Sequence, residues 1–289
     1  MIPFLVVDRP ISLRIIKGSG YENLSIKIGL MSHANTSSNF QILFKEYPCQ
    51  TDFKNCELNT KNNKCEYPND LCRIGKLLKE KTIKIVDSGV FTKDGCKISE
   101  YRDLFNTYDN MGADFGIIKD CLNNKRRTLV TAKEAMNLYK KGNYNFNLYG
   151  VAQGKKKRQY VKCFNNLTKF GYQYIAIGGL LKKINNTLRY TKVKNQTEMF
   201  EIIELIKSKF KGKQMPQIDY IFALGCYHPK RHNKFENIGV YGSDFKGWIF
   251  QYKNNFEYLS LKEKQEHRIK QVRHNLNEKI YSKININLD

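Results

Sequence analysis

Short apolar runs recur along the chain at 26–31, 83–86, 115–118, 146–151, 174–177, 218–224 and 238–241. Each has the length of a buried strand, and most are separated by segments with helical periodicity. In 197–210, Met199, Ile202, Ile203, Ile206 and Phe210 fall on one helical face. The tail 261–281 carries a similar stripe of Ile269, Val272, Leu276 and Ile280. Both stripes read as core contacts. Strand–helix alternation with right-handed crossovers predicts a parallel α/β protein. Seven or eight units predict closure into a (β/α)8 TIM-type barrel, with an open doubly wound sheet as the alternative. Segment 49–72 breaks the alternation: it is rich in Asn and Lys, follows Pro48 and contains Pro68. It reads as an insertion between the first and second strands of a single domain spanning 1–289.

Polar residues and glycines stand where the predicted strands stop. Asp87-Ser88-Gly89 follows 83–86, and Asp120 closes the third run. Gln153 closes the fourth, Gly178-Gly179-Leu180 the fifth, and Asp244 the seventh. In a parallel barrel these carboxyl ends share one mouth, where such enzymes carry their chemistry. Acids there can act as nucleophile, general base or acceptor for a donor-rich ligand. The alternative for any one of them is a helix N-cap.

Charge adds a second theme. The chain has 50 Lys and Arg against 27 Asp and Glu, a formal charge of +23. Abundant Lys, Asn, Ile and Tyr reflect a composition bias, but that bias does not account for the scarcity of acids. Basic clusters lie just past the predicted strand ends: Lys125-Arg126-Arg127, Lys155-Lys156-Lys157-Arg158, Lys182-Lys183, Lys230-Arg231 and Lys246. A positive collar round an acidic pocket predicts a polyanion held outside while one unit enters. A solvated basic surface is the bland alternative. The apolar opening 2–7 is too short for a signal-peptide core, and no stretch is long enough to span a membrane. A cytoplasmic protein is expected, or one in a host's cytoplasm if virus-encoded. Eight cysteines then imply reduced thiols or metal ligands.

In order, these motifs resemble the tRNA-guanine transglycosylase superfamily, from about Ile83 to Trp248. The family's Asp-Ser-Gly-Gly-Phe is similar to Asp87–Phe91, with Val90 at the second glycine. Its Gly-hydrophobic-x-Gln-Gly resembles Gly150–Gly154, and its Ile/Val-Gly-Gly-Leu resembles Ile177–Leu180. Phe222–Gly225 with Gly239–Asp244 resembles the stretch ending in the family's nucleophile. The family's zinc-binding cysteines after the nucleophile are missing, because no cysteine follows Cys226. That absence favours the branch that inserts 7-deazaguanines into DNA. The resemblance implies a glycosyltransferase that exchanges guanine in DNA, or alternatively in tRNA, for a 7-deazaguanine base. It makes Asp244 the nucleophile of a covalent glycosyl-enzyme and Asp87 the general acid/base. Ser88, Asp120, Gln153, Gly178, Gly179 and Leu180 would bind the base. Lys155, Lys156, Lys157, Arg158, Lys182, Lys183, Lys230, Arg231 and Lys246 would hold the nucleic acid. No organic cofactor is needed; a helicase or other accessory protein is an expected partner where the DNA is duplex.

Cys49, Cys56, Cys65 and Cys72 are a weak candidate for a structural zinc site, because close Cys-x-x-Cys pairs are absent. Cys226, His228 and His232, with His267 and His274, form a weaker second set. Trp248 and the tyrosines could stack on bases, although most barrel aromatics are core. Two rival functions complete the expectations: a non-catalytic nucleic-acid-binding subunit, and an unrelated barrel enzyme acting on a sugar phosphate. The latter explains the strand-end acids but neither the basic collar nor the ordered motifs.

Overall fold

Eight short strands close into a parallel barrel in a computed structural model that describes residues 1–10, 12, 13, 16, 27–47, 80, 82–92, 95–183, 190–193, 195–210 and 215–246. Its strands are β1 (Ile2–Val6), β2 (Ile28–His33), β3 (Thr82–Asp87), β4 (Phe115–Ile117), β5 (Asn147–Ala152), β6 (Tyr174–Ile177), β9 (Phe222–Ala223) and β10 (Gly242–Phe245). They run round the barrel as β1-β10-β9-β6-β5-β4-β3-β2, and β2 closes on β1. Two further strands, β7 (Leu181–Lys183) and β8 (Tyr190–Val193), form a separate antiparallel hairpin. The TIM-type barrel expected from the alternation is the observed fold.

Helices cover the outside. The longer ones are α1 (Ser38–Glu46), α2 (Tyr101–Asn110), α3 (Lys125–Tyr139), α4 (Lys157–Phe170) and α5 (Gln196–Phe210); α6 (Pro216–Asp219) and α7 (His232–Asn237) are short. Local chemistry starts and stops them. The Ser37 hydroxyl accepts the Phe40 N–H at the start of α1, and the Asn124 side chain accepts the Arg127 N–H at the start of α3. Gly171, at φ 100°, ends α4 in a left-handed turn. The predicted stripe in 197–210 is buried as α5, with Met199, Ile202, Ile203, Ile206 and Phe210 against the core.

Lateral register decides which side chains enter the barrel, because paired residues point to one side of a sheet. Lys84 settles the outer side of β3: its ammonium donates to the Lys45 carbonyl at 2.8 Å and lies over the Phe44 ring of α1. Ile83, Ile85 and Asp87 therefore face inward, and their partners Gly29, Met31 and His33 do likewise. Carried round the barrel, the register adds Phe115, Tyr149, Val151, Ala176, Phe222, Gly242, Asp244 and Phe4 to the inner face. Phe4 and Phe222 meet edge to face at 5.1 Å between ring centres. The Phe4 ring also occupies the space that side chains would take at Gly29 and Gly242. This aromatic fill plugs the barrel below the mouth, so any ligand is confined to its carboxyl end.

Some boundaries differ from expectation. Ile2–Val6 is a barrel strand, which makes the run at 26–31 the second strand and places 49–72 between the second and third. Segment 218–224 divides between α6 and β9, and β10 begins after the apolar run 238–241. The insertion at 49–72, Trp248 and the predicted helix at 261–281 lie outside the described residues. Among the described residues no helix is long and apolar enough to cross a membrane.

Candidate active site

Asp87 is the last residue of β3, inward and half-buried. Its Oδ2 accepts the Gly89 N–H at 2.9 Å, which requires the tight turn that Gly89 makes at φ 83°. A Cβ at Gly89 would stand 2.7 Å from the Asn35 amide nitrogen, so the position is constrained twice. Burial pushes the Asp87 carboxyl up to about 6, against the opposing pull of the Gly89 and Ser88 N–H groups. Ser88 is fully buried, and its hydroxyl reaches the Ile118 carbonyl at 3.5 Å.

Asp120 lies in the loop after β4 and Asp244 within β10, and both are buried. Asp120 is pushed up to about 7 by burial and then by the charge of Asp87, opposed by a hydrogen bond from Gln153. Asp244 is raised to about 6, again mainly by burial. The Gly225 N–H, which donates to its Oδ1, pulls it down; the Asp87 charge raises it and Lys246 lowers it. Asp87 thus acts on both other acids, and the three carboxyl groups share one field. One oxygen of this trio, Asp120 Oδ1, is buried without a hydrogen-bond partner.

Gln153 is completely buried beside Asp120, and its Nε2 donates to Asp120 Oδ2. Gly178 and Gly179 give that amide its room. A Cβ at Gly178 would come within 2.6 Å of Gln153 Nε2, and one at Gly179 within 3.0 Å of the Tyr160 hydroxyl. That hydroxyl donates to the Gly178 carbonyl at 3.1 Å, and Leu180 is buried just beyond. The fold therefore brings Asp87, Ser88, Asp120, Gln153, Gly178, Gly179 and Asp244 to one end of the barrel.

His33 joins them and was not singled out by sequence reasoning. It is the inward neighbour of Asp87 in register, its Nδ1 is buried without a partner, and burial lowers its pKa while Asp8 raises it. The signal was the alternation Gly29, Met31, His33, whose third member falls one residue pair beyond the apolar run. The basic residues behave differently from one another. Lys155, Lys156, Arg158, Lys230 and Lys246 are exposed near strand ends. Lys157 pairs with Glu201, and Arg231 donates to the Cys226 carbonyl at 2.8 Å and to Gln196 Oε1 at 3.2 Å. Lys182 and Lys183 fall on the hairpin strand β7.

The first cysteine set, Cys49, Cys56, Cys65 and Cys72, lies outside the described residues, as do His267 and His274. The second set is not assembled. Cys226 points its thiol at the Leu224 carbonyl, whereas the His232 ring meets the Tyr227 hydroxyl at 3.2 Å. Among the described residues no group of three or more His, Cys, Asp or Glu side chains is placed to hold a metal.

No protein-family model matches the chain, and no curated protein matches it by sequence. Solved structures do match its fold. The YdjI aldolase from Escherichia coli K12 is similar over 98% of this chain and 89% of its own, with a TM-score of 0.55 and 12% identity. A protein put forward as a fructose-1,6-biphosphate aldolase, from Coccidioides immitis, is similar over the same shares with a TM-score of 0.57 and 8% identity. At these identities the likeness is one of fold, a (β/α)8 barrel.

These comparisons correct the transglycosylase expectation. The barrel is matched by structures described as aldolases, and no family model supports the motif resemblance. The glycosyltransferase class, the exchange of guanine in DNA or tRNA, and the nucleic-acid and 7-deazaguanine partners are withdrawn with it. The physical reason lies in the motifs themselves. Gly89 is required by the turn at Asp87, and the Gly178-Gly179 pair is required by the Gln153 amide. Short glycine motifs at strand ends record the packing of a barrel mouth and carry little information about what enters it.

Proposed function

We propose that this barrel is an enzyme that moves protons on a small hydroxylated carbonyl compound, breaking or forming a carbon–carbon bond by aldol chemistry. One observation carries the reading: three carboxyl groups at one end of the barrel, Asp87 half-buried and Asp120 and Asp244 buried, raised to about 6, about 7 and about 6, with the charge of Asp87 acting on the other two. Groups that titrate near neutrality can both give and take protons there, and acids with different environments divide those roles. The solved structures of similar fold named above are described as aldolases, which supports the same class of reaction.

In the cleavage direction, Asp87 takes the proton from the substrate's β-hydroxyl. That oxygen becomes a carbonyl, the bond between the α and β carbons breaks, and its electron pair passes to the α carbon as an enolate. Asp120, with the highest pKa of the trio, donates a hydrogen bond to the enolate oxygen in its protonated form. Asp244 delivers a proton to the α carbon. Ser88, Gln153 and the Gly178–Leu180 turn shape the pocket. Exposed Lys155, Lys156 and Arg158 suit an anionic tail such as a phosphate at the rim.

The test is a panel of β-hydroxy ketones and β-hydroxy-2-oxo acids, with and without a phosphate, followed by NMR for carbonyl fragments. Cleavage of at least one compound is expected, with kcat/KM lowered on the order of 100-fold or more in Asp87→Asn and Asp244→Asn. Cleavage of none by the folded protein, or full activity in both variants, overturns the reading.

A further inference from the structure

Among the described residues Asn123 alone combines a side chain with a left-handed backbone, at φ 56°. That conformation is costly for a residue with a Cβ, though least so for Asn and Asp. Its consequence is specific. The Asn123 N–H donates to Gln153 Oε1 at 3.1 Å. With its oxygen occupied, the Gln153 amide can only present Nε2 to Asp120 Oδ2, as observed. A flipped amide would present an acceptor and favour the protonated acid. Gly178 and Gly179 leave the room that this position of the amide needs, and Gln153 is fully buried there.

We propose that Asn123 and Gln153 form a positioning relay that holds a donor against Oδ2 of the buried Asp120 carboxyl, which favours the ionised form and leaves Oδ1 as the oxygen that carries the proton when the group is protonated. The role of Asp120 in catalysis rests on the reading above; the relay itself can be tested without substrate. The other titratable groups near Asp120 are Asp87 on β3, Tyr101 on α2, Cys121 in the same loop and Cys163 on α4. Burial raises Tyr101 well above neutrality, and raises Cys121 and, to about 11, Cys163. Asp87 alone of these titrates in the same range, and Asp244, which shares the field of Asp87, is raised to about 6, so a background with both Asp87→Asn and Asp244→Asn isolates Asp120.

The experiment is a carboxyl ¹³C NMR titration of Asp120 in the full-length protein in that background, with no substrate present. Gln153→Met, which removes the donor at similar volume, should raise the Asp120 midpoint by about one unit or more. Asn123→Val, which disfavours the left-handed backbone but keeps Gln153, should raise it by a smaller amount. Asn123→Gly keeps both the conformation and the N–H, and should leave it in place. An unchanged midpoint in both Gln153→Met and Asn123→Val overturns the relay. So does an equal shift in Asn123→Gly and Asn123→Val, because the backbone conformation would then be irrelevant. None of these outcomes depends on whether a carbonyl compound is the substrate.

Discussion

Asp120 carries a cost that can be measured. Its carboxyl is raised from 3.8 to about 7 in the folded protein, so between those values the folded state holds a proton that the unfolded state has released. Its contribution to stability is therefore greatest at acid pH and is lost as pH rises through that window. Asp120→Asn should consequently stabilise the protein at pH 8 by about 2 kcal/mol and have little effect at pH 4, as read from denaturant melts. A loss of stability at pH 8 would mean that the ionised carboxylate is better held than its burial implies. At this scale much was legible. Asp87, Asp120, Gln153 and Asp244 stood out because polar residues at the ends of apolar runs are conspicuous. His33 did not, because its place depends on the inward parity of β2 and on its lateral pairing with Asp87. Asn123 was hidden for a similar reason: a left-handed backbone and the direction of one N–H are not written in residue type.

Elements obey the same distinction between local pattern and long-range partner. Strands rich in β-branched and aromatic residues, such as β3 and β6, were visible as runs. β10 reads Gly-Ser-Asp-Phe and has no strand signal of its own; β1 and β9 on either side give it a ladder. Helix α5 was legible because its stripe has the helical period and all of it is buried. Register also makes Gly29 and Phe4 one packing unit. Gly29→Ala would drive a methyl group into the Phe4 ring and should cost about 1–3 kcal/mol, detected as a lower midpoint in chemical denaturation. A neutral effect would show that the ring can turn aside, and that the floor of the mouth is softer than its burial implies.

For the whole molecule, alternation of strand and helix was enough to predict the barrel, since few other closed arrangements satisfy right-handed crossovers at this length. Function was less legible. The ordered glycine and carboxylate motifs suggested base exchange, yet Gly89, Gly178 and Gly179 are met by the packing needs of the mouth. The excess of basic residues pointed the same way, but Lys157 and Arg231 are occupied within the protein. The proposed function rests on three carboxyl groups in one field that move protons beside a carbonyl. Its most direct measurement is incorporation of solvent deuterium at the carbon next to the carbonyl of small ketones and 2-oxo acids, followed by NMR across pH. Exchange should occur with at least one compound and reach its maximum near the shared titration at about 6 to about 7. It should be lost in Asp87→Asn and in Asp244→Asn. A folded protein that exchanges no such proton at any pH, or variants that exchange as fast as the parent, would contradict it.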